Sequence, residues 1–218
     1  MNSQFHSLKF QKKKLAGLVV KQFASEDRKK VIAAIAFAVQ KHKGQRRDEG
    51  TAYVIHPIRV AVTLLDNVGT WDADIVVSAL LHDVVEDCKV RVSTIEARFG
   101  KRVEHFVQQL TRKSKKGETD PEKEKRKIQK LGQLEHAAIE VQLIKCADIL
   151  DNLRCASDVP FWAWTPIARR KFPRWRREFH VAVRFASRVH PVLASEIRSA
   201  LRAFEVKRIV RGIVRLGL

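Results

Sequence analysis

Apolar residues recur at three- and four-residue intervals through most of the chain, and strand-like alternation is nearly absent, so the pattern predicts an all-α fold. After Ser25, an N-cap residue type, Val31, Ile32, Ile35, Ala38 and Val39 trace a helix to His42, where Lys43-Gly44 stops it. A polar loop follows from Gln45 to Thr51. His56-Pro57 then puts proline where the first turn of a helix tolerates it, ahead of Ile58, Val60, Ala61, Leu64 and Leu65. From Asp72 the pattern runs through Ile75, Val76, Ala79, Leu80 and Val84 to Asp87 and predicts one buried helix, apolar over much of its circumference. Thr94 to Phe99 and Lys101 to Leu110 read as two short helices around Gly100. Thr111 to Lys127, with Lys and Glu alternating around Pro121, reads as a charged loop leading into a solvated helix. The helical pattern resumes from Ala137 to Asn152, an aromatic loop spans Val159 to Pro166, and two basic amphipathic helices complete the chain.

With 218 residues the chain suits one sizeable domain, since two independent cores would leave each half small. The chain divides into a basic N-terminal segment at 1–25, a main helical domain at 26–190 and a basic C-terminal helix at 191–218. The 43 Lys and Arg against 24 Asp and Glu give a net charge of +19, which attracts polyanions. Charge alone does not choose among nucleotides, nucleic acid and acidic membranes. Lys9, Lys12, Lys13, Lys14 and Lys21 stand in the first segment without an acid, a composition shared by organellar presequences and surface-binding helices, although the segment has no Arg. Leu15 to Val20 is too short to span a membrane. Cys88, Cys146 and Cys155 are an odd number with no Cys-x-x-Cys pair, which fits a reducing compartment such as the cytoplasm.

The chemistry gathers in Leu80-Leu81-His82-Asp83-Val84-Val85-Glu86-Asp87, where four ionisable residues interrupt an apolar run. Burying such groups is costly without a partner, and a bound cation is one. His82 and Asp83 offer a nitrogen and an oxygen ligand, and Glu86 and Asp87, one turn further along, are placed to handle an attacking water. Two ligands are too few for a stable site. His56, at a helix mouth, and Asp148, an acid inside the apolar run Ile144-Lys145-Cys146-Ala147-Asp148, are the candidates for the others. Two histidines and two carboxylates suit manganese, iron or zinc, and such an ion polarises phosphorus and acidifies water.

Lys41-His42-Lys43-Gly44-Gln45-Arg46-Arg47, Gly50, Tyr53, Ile55-His56-Pro57, Ala79 to Asp87, Phe99-Gly100, Leu110-Thr111, Ile144 to Asp148 and Asp151-Asn152-Leu153-Arg154 together resemble the RelA/SpoT-type alarmone hydrolase domain, over roughly residues 28 to 190. The length matches its small, hydrolase-only members. The resemblance implies an HD-domain helical bundle with Mn2+ as the usual metal and removal of the 3′-pyrophosphate of ppGpp or pppGpp as the reaction. It implies His56, His82, Asp83 and Asp148 as metal ligands and Glu86 and Asp87 as the residues that position and deprotonate water. Arg47 would lie against the guanine base, with Asn152 and Lys145 near the ribose or phosphates. Without the resemblance, Arg47 reads equally as a solvated loop charge and Asn152 as a helix-terminal residue. Asp48-Glu49 after Arg47, Ile149 after Asp148 and Phe172 depart from the family pattern. The alternatives are an HD phosphohydrolase of an adenosine alarmone or of the 2′-phosphate of NADPH, and a non-catalytic basic module that binds nucleic acid.

Overall fold

The computed structural model describes residues 4–47, 50–112, 117–158 and 166–215, and for 166–176 and 207–215 the backbone alone. Helix α1 (Leu8–Gln22) starts where the Ser7 hydroxyl accepts from the Phe10 amide at 3.3 Å. The next helix, α2 (Ser25–Lys41), carries Glu26 and Asp27 in its first turn, where the helix dipole favours acids. In α3 (Ile55–Thr63) every residue is buried, and a single π-helical turn at Leu64–Val68 prolongs it. Gly69, at φ +71°, ends that turn in the left-handed conformation that glycine adopts without strain.

Asp72 caps α4 (Ala73–Leu81) by accepting from the Asp74 amide at 2.9 Å. The pattern from Asp72 to Asp87 predicted one helix, but the chain breaks at His82-Asp83 and restarts as α5 (Val84–Cys88). Helices α6 (Val92–Phe99) and α7 (Lys101–Leu110) meet at Gly100 as the pattern predicted. The charged stretch expected to be loop as far as Lys127 becomes helical earlier, as α8 (Asp120–Leu134). Pro121 occupies its first turn, and the Thr119 amide donates to the Glu122 carboxylate at 2.7 Å. Helix α9 (Ile139–Asp158) runs six residues beyond the expected Asn152, and α10 (Pro166–Val189) and α11 (Pro191–Arg215) follow.

Three helices form the centre. Helix α3 packs on α1, α4 and α9, while α4 also meets α2 and α7, and α9 also packs against α10 and α11. One apolar core runs from Leu15 and Val19 of α1 through Ile58, Leu80 and Leu150 to Leu193, Ile197 and Phe204 of α11. Both basic terminal helices therefore place side chains in the same core as the central three. Among the described residues the one extended pairing is an isolated antiparallel bridge, Arg46 to Ala52, inside the polar loop. No described helix is long and apolar enough to cross a membrane. Leu80 is fully buried in α4, so Leu80→Ala is expected to lower unfolding stability by about 2–5 kcal/mol in urea denaturation.

Candidate active site

The break between α4 and α5 builds the site. Adjacent residues on an unbroken helix point about 100° apart, whereas here His82 Nε2 and Asp83 Oδ1 converge to 3.2 Å. His82 turns its Nδ1 back onto the Ala79 carbonyl at 2.8 Å, and Asp83 takes φ −98°, ψ −9°, a bridge-region conformation outside the helical run. Helix α3 delivers His56 from its first turn, and α9 delivers Asp148 from its middle.

Four donors meet at the junction of these helices. His56 Nε2 lies 3.3 Å from His82 Nε2, 3.2 Å from Asp148 Oδ1 and 3.6 Å from Asp83 Oδ2. His82 Nε2 is 3.9 Å from Asp148 Oδ1, and suitable ligand atoms of His56, His82 and Asp148 all fall within 4.8 Å of one another. The rings also have fixed outward partners, since His82 Nδ1 faces a carbonyl and His56 Nδ1 faces Asp151 Oδ2 at 2.6 Å. Neither acceptor can supply a hydrogen, so each Nδ1 carries the proton in the neutral ring and both Nε2 lone pairs point inward. Two lone pairs at 3.3 Å flanked by two carboxylates call for a cation between them, and the donor set fits a divalent metal.

The electrostatics agree. Burial alone would lower His82, yet Asp83 and Asp148 hold its imidazole up at about 9. Burial would raise Asp83, but His82 and then His56 keep its carboxyl well below the usual carboxylate range. Asp148 is likewise held low, against its burial, by the Lys145 ammonium and by His56 and His82. The centre thus stabilises positive charge.

Around it the predicted residues divide. Glu86 is gripped by Arg112, whose backbone amide donates at 3.1 Å and whose guanidinium reaches the second carboxylate oxygen at 2.7 Å. Asp87 lies exposed at the rim, and its carboxyl is pushed up by partial desolvation and by Asp83. The Tyr53 hydroxyl donates to Asp83 Oδ2 at 2.8 Å, and burial beside Asp83 and Asp87 pushes its pKa up, so it stays protonated. Asn152 donates to Asp148 Oδ1 at 2.6 Å and accepts from Arg47 Nη2 at 2.9 Å, which tethers Arg47 at the mouth. Lys145 is paired with Asp148 Oδ2 at 2.6 Å.

The HD domain model matches residues 34–171, the span that carries all these groups. The chain belongs to the HD-domain family. Its site and its relatives make the HD protein a metal-dependent hydrolase. It is 34% identical over 147 residues to human guanosine-3′,5′-bis(diphosphate) 3′-pyrophosphohydrolase MESH1, covering 66% of this chain and 79% of that one. The Aquifex aeolicus enzyme of the same description is 33% identical over 148 residues, which cover 67% of this chain and 20% of that much longer one. A solved structure of a metazoan SpoT ortholog, described as hydrolysing ppGpp, superposes with a TM-score of 0.68 at 28% identity, over 83% of this chain and 96% of that chain.

The HD site includes residues to which the sequence reading gave no role. Arg59 is a lone charge in the apolar run of α3, and Asp151 is a second acid one turn beyond Asp148, signals of the same kind that singled out Asp148. Arg112 and Tyr53 carried no such signal. Asp48 and Glu49 lie outside the described residues, as do Trp162, Trp164 and the side chains of Phe172 and Trp175.

Proposed function

We propose that this HD hydrolase removes the 3′-pyrophosphate of the guanosine alarmones ppGpp and pppGpp, giving GDP or GTP and pyrophosphate, with Mn2+ held by His56, His82, Asp83 and Asp148. The facing imidazole nitrogens of His56 and His82, flanked by two carboxylates, carry the reading. Its substrate rests on likeness to relatives that bear this activity in their names. When bound, the metal supplies Lewis-acid polarisation of a phosphoryl oxygen and acidifies water.

The chain's own groups do the rest. Asp87 lies exposed at the rim beside the Tyr53 hydroxyl, and its pKa is raised, so its carboxylate is matched to accept the proton of the attacking water. Water oxygen bonds to phosphorus, the bond from phosphorus to the ribose 3′ oxygen breaks, and that oxygen takes up the proton that Asp87 received, which frees pyrophosphate and the 3′-hydroxyl nucleotide. Glu86, with its carboxylate fixed by Arg112, positions rather than takes the proton. Arg47 offers its planar guanidinium to the base, while Asn152 and Lys145 hold Asp148 on one side and face the ribose and phosphates on the other. We place the protein in the cytoplasm, a reducing compartment that suits its three free thiols.

The deciding experiment is a nucleotide panel with Mn2+-loaded protein. Pyrophosphate released from ppGpp is the expected product. Orthophosphate from NADPH, or cleavage confined to an adenosine alarmone, moves the same site to another substrate. Steeply salt-dependent RNA or DNA binding without turnover removes the enzyme reading. A second expectation concerns loading. His82, held near 9, must lose its proton to bind metal, so uptake releases protons and affinity rises with pH toward that value. Calorimetry in two buffers of different ionisation enthalpy measures the release, and a pH-independent affinity would contradict it.

A further inference from the structure

Behind His56 lies a buried chain of groups that ends outside the catalytic helices. Asp151 accepts from His56 Nδ1 with one oxygen and from Arg59 with both, at 2.6 Å from Nε and 3.0 Å from Nη2. His56, Arg59 and Asp151 are each at most 3% exposed. A carboxylate this deep is costly unless another charge compensates it, and Arg59 does so. The same guanidinium passes Cys155 Sγ at 2.8 Å and spends Nη1 on the backbone carbonyl of Phe5 at 3.2 Å. The Phe5 ring covers its face at 4.1 Å.

Phe5 is itself anchored on two sides. The Gln4 carbonyl accepts from the Gln11 side chain at 3.1 Å and from the Ser7 amide at 3.3 Å, which fastens the segment to α1. The His6 ring meets Phe5 edge-on at 5.0 Å and lies 3.4 Å from Asp158 at the end of α9. Helix α1 in turn is seated on α3 through the core residues Leu15 and Val19.

We propose that Gln4–Ser7 is a working part of the metal centre, with Phe5 and Arg59 as positioning residues that act through Asp151 on the His56 ring. The proposal rests on His56 being a metal ligand, as in the preceding reading. Phe5 excludes water from the guanidinium and holds its Nη1, which keeps both prongs of Arg59 on Asp151. Asp151 in turn fixes the tautomer and rotation of His56. Water admitted at Phe5 would screen the pair and let the imidazole swing. A segment before the first helix would then set the affinity of a site built on α3, α4 and α9.

The test reads Mn2+ affinity of the full chain by competition with a metal indicator, alongside the thermal midpoint of metal-free protein. The expected order is wild type, then Phe5→Leu, which keeps apolar cover, then Phe5→Ala. Asp151→Asn is expected to weaken binding by roughly 10- to 100-fold, the usual cost of losing a ligand's outer partner. Arg59→Met alone strands a buried carboxylate and risks misfolding. The paired variant Arg59→Met with Asp151→Leu removes both charges together, is expected to fold, and is expected to bind Mn2+ as weakly as Asp151→Asn. Wild-type affinity in Phe5→Ala and in the paired variant would overturn the proposal, as would a lowered midpoint with unchanged affinity. Failure to cleave ppGpp while Mn2+ binding follows the expected order would sink the substrate assignment alone.

Discussion

Asp148→Ala is expected to abolish metal-dependent pyrophosphate release, with a fall in kcat/KM of roughly a thousandfold or more. Asp148 ties both histidines to the groups around them. Its Oδ1 sits 3.2 Å from His56 and accepts from Asn152, and its Oδ2 holds Lys145. Losing it removes one of four donors and leaves the Lys145 ammonium beside two imidazoles with no carboxylate of its own, which repels a dication. Metal affinity should therefore fall together with rate, and excess Mn2+ should restore only part of the activity. Asp83→Ala is expected to behave alike, because Asp83 also closes the set and anchors Tyr53. Steady-state pyrophosphate release at several Mn2+ concentrations checks this. A variant that keeps more than about a tenth of wild-type activity would remove Asp148 from the ligand set.

Asp87→Asn should lower kcat by roughly 10²- to 10⁴-fold while leaving Mn2+ affinity near that of the wild type. Asp87 stands outside the four-donor set, so the variant separates proton transfer from metal binding. The sign of the pH effect follows from its raised pKa. A base works only when deprotonated, so the rate of the wild type rises with pH through the pKa of Asp87. That acid limb lies above the range of an ordinary aspartate. In Asp87→Asn the limb should vanish and a low, flat rate remain. A retained limb would assign it to another group, and Glu86→Gln then becomes the decisive variant.

Much of this is legible in the sequence. The helical periods located all the central helices, and the four histidines and acids that interrupt apolar runs, His56, His82 with Asp83, and Asp148, do meet in space. The break at His82-Asp83 was not legible, because the apolar pattern continues through it and no glycine or proline marks it. It arises from tertiary demands, since both side chains must reach one centre and His82 takes a carbonyl that the helix ladder would otherwise use. The early start of α8 was hidden by its charge, although Thr119, Pro121 and Glu122 spell the cap. Arg59 and Asp151 were each visible as charges among apolar neighbours, but local periodicity says nothing of a pairing across 92 residues. Nor does it divide Glu86 from Asp87. That division follows from Arg112, which reaches Glu86 from the end of α7.

The break between α4 and α5 also bears on how the centre comes apart. His82 and Asp83 are joined by a single peptide unit, so no hinge can separate them. His56 and Asp148 arrive on other helices, and each can leave with its own segment. Local opening of α9 would therefore leave a two-residue claw on the α4 junction together with His56, rather than an empty surface. Hydrogen exchange should find the amides around His82 protected longest and metal most effective in slowing exchange along α9, so that loading acts as a clasp closing α9 onto a half already assembled.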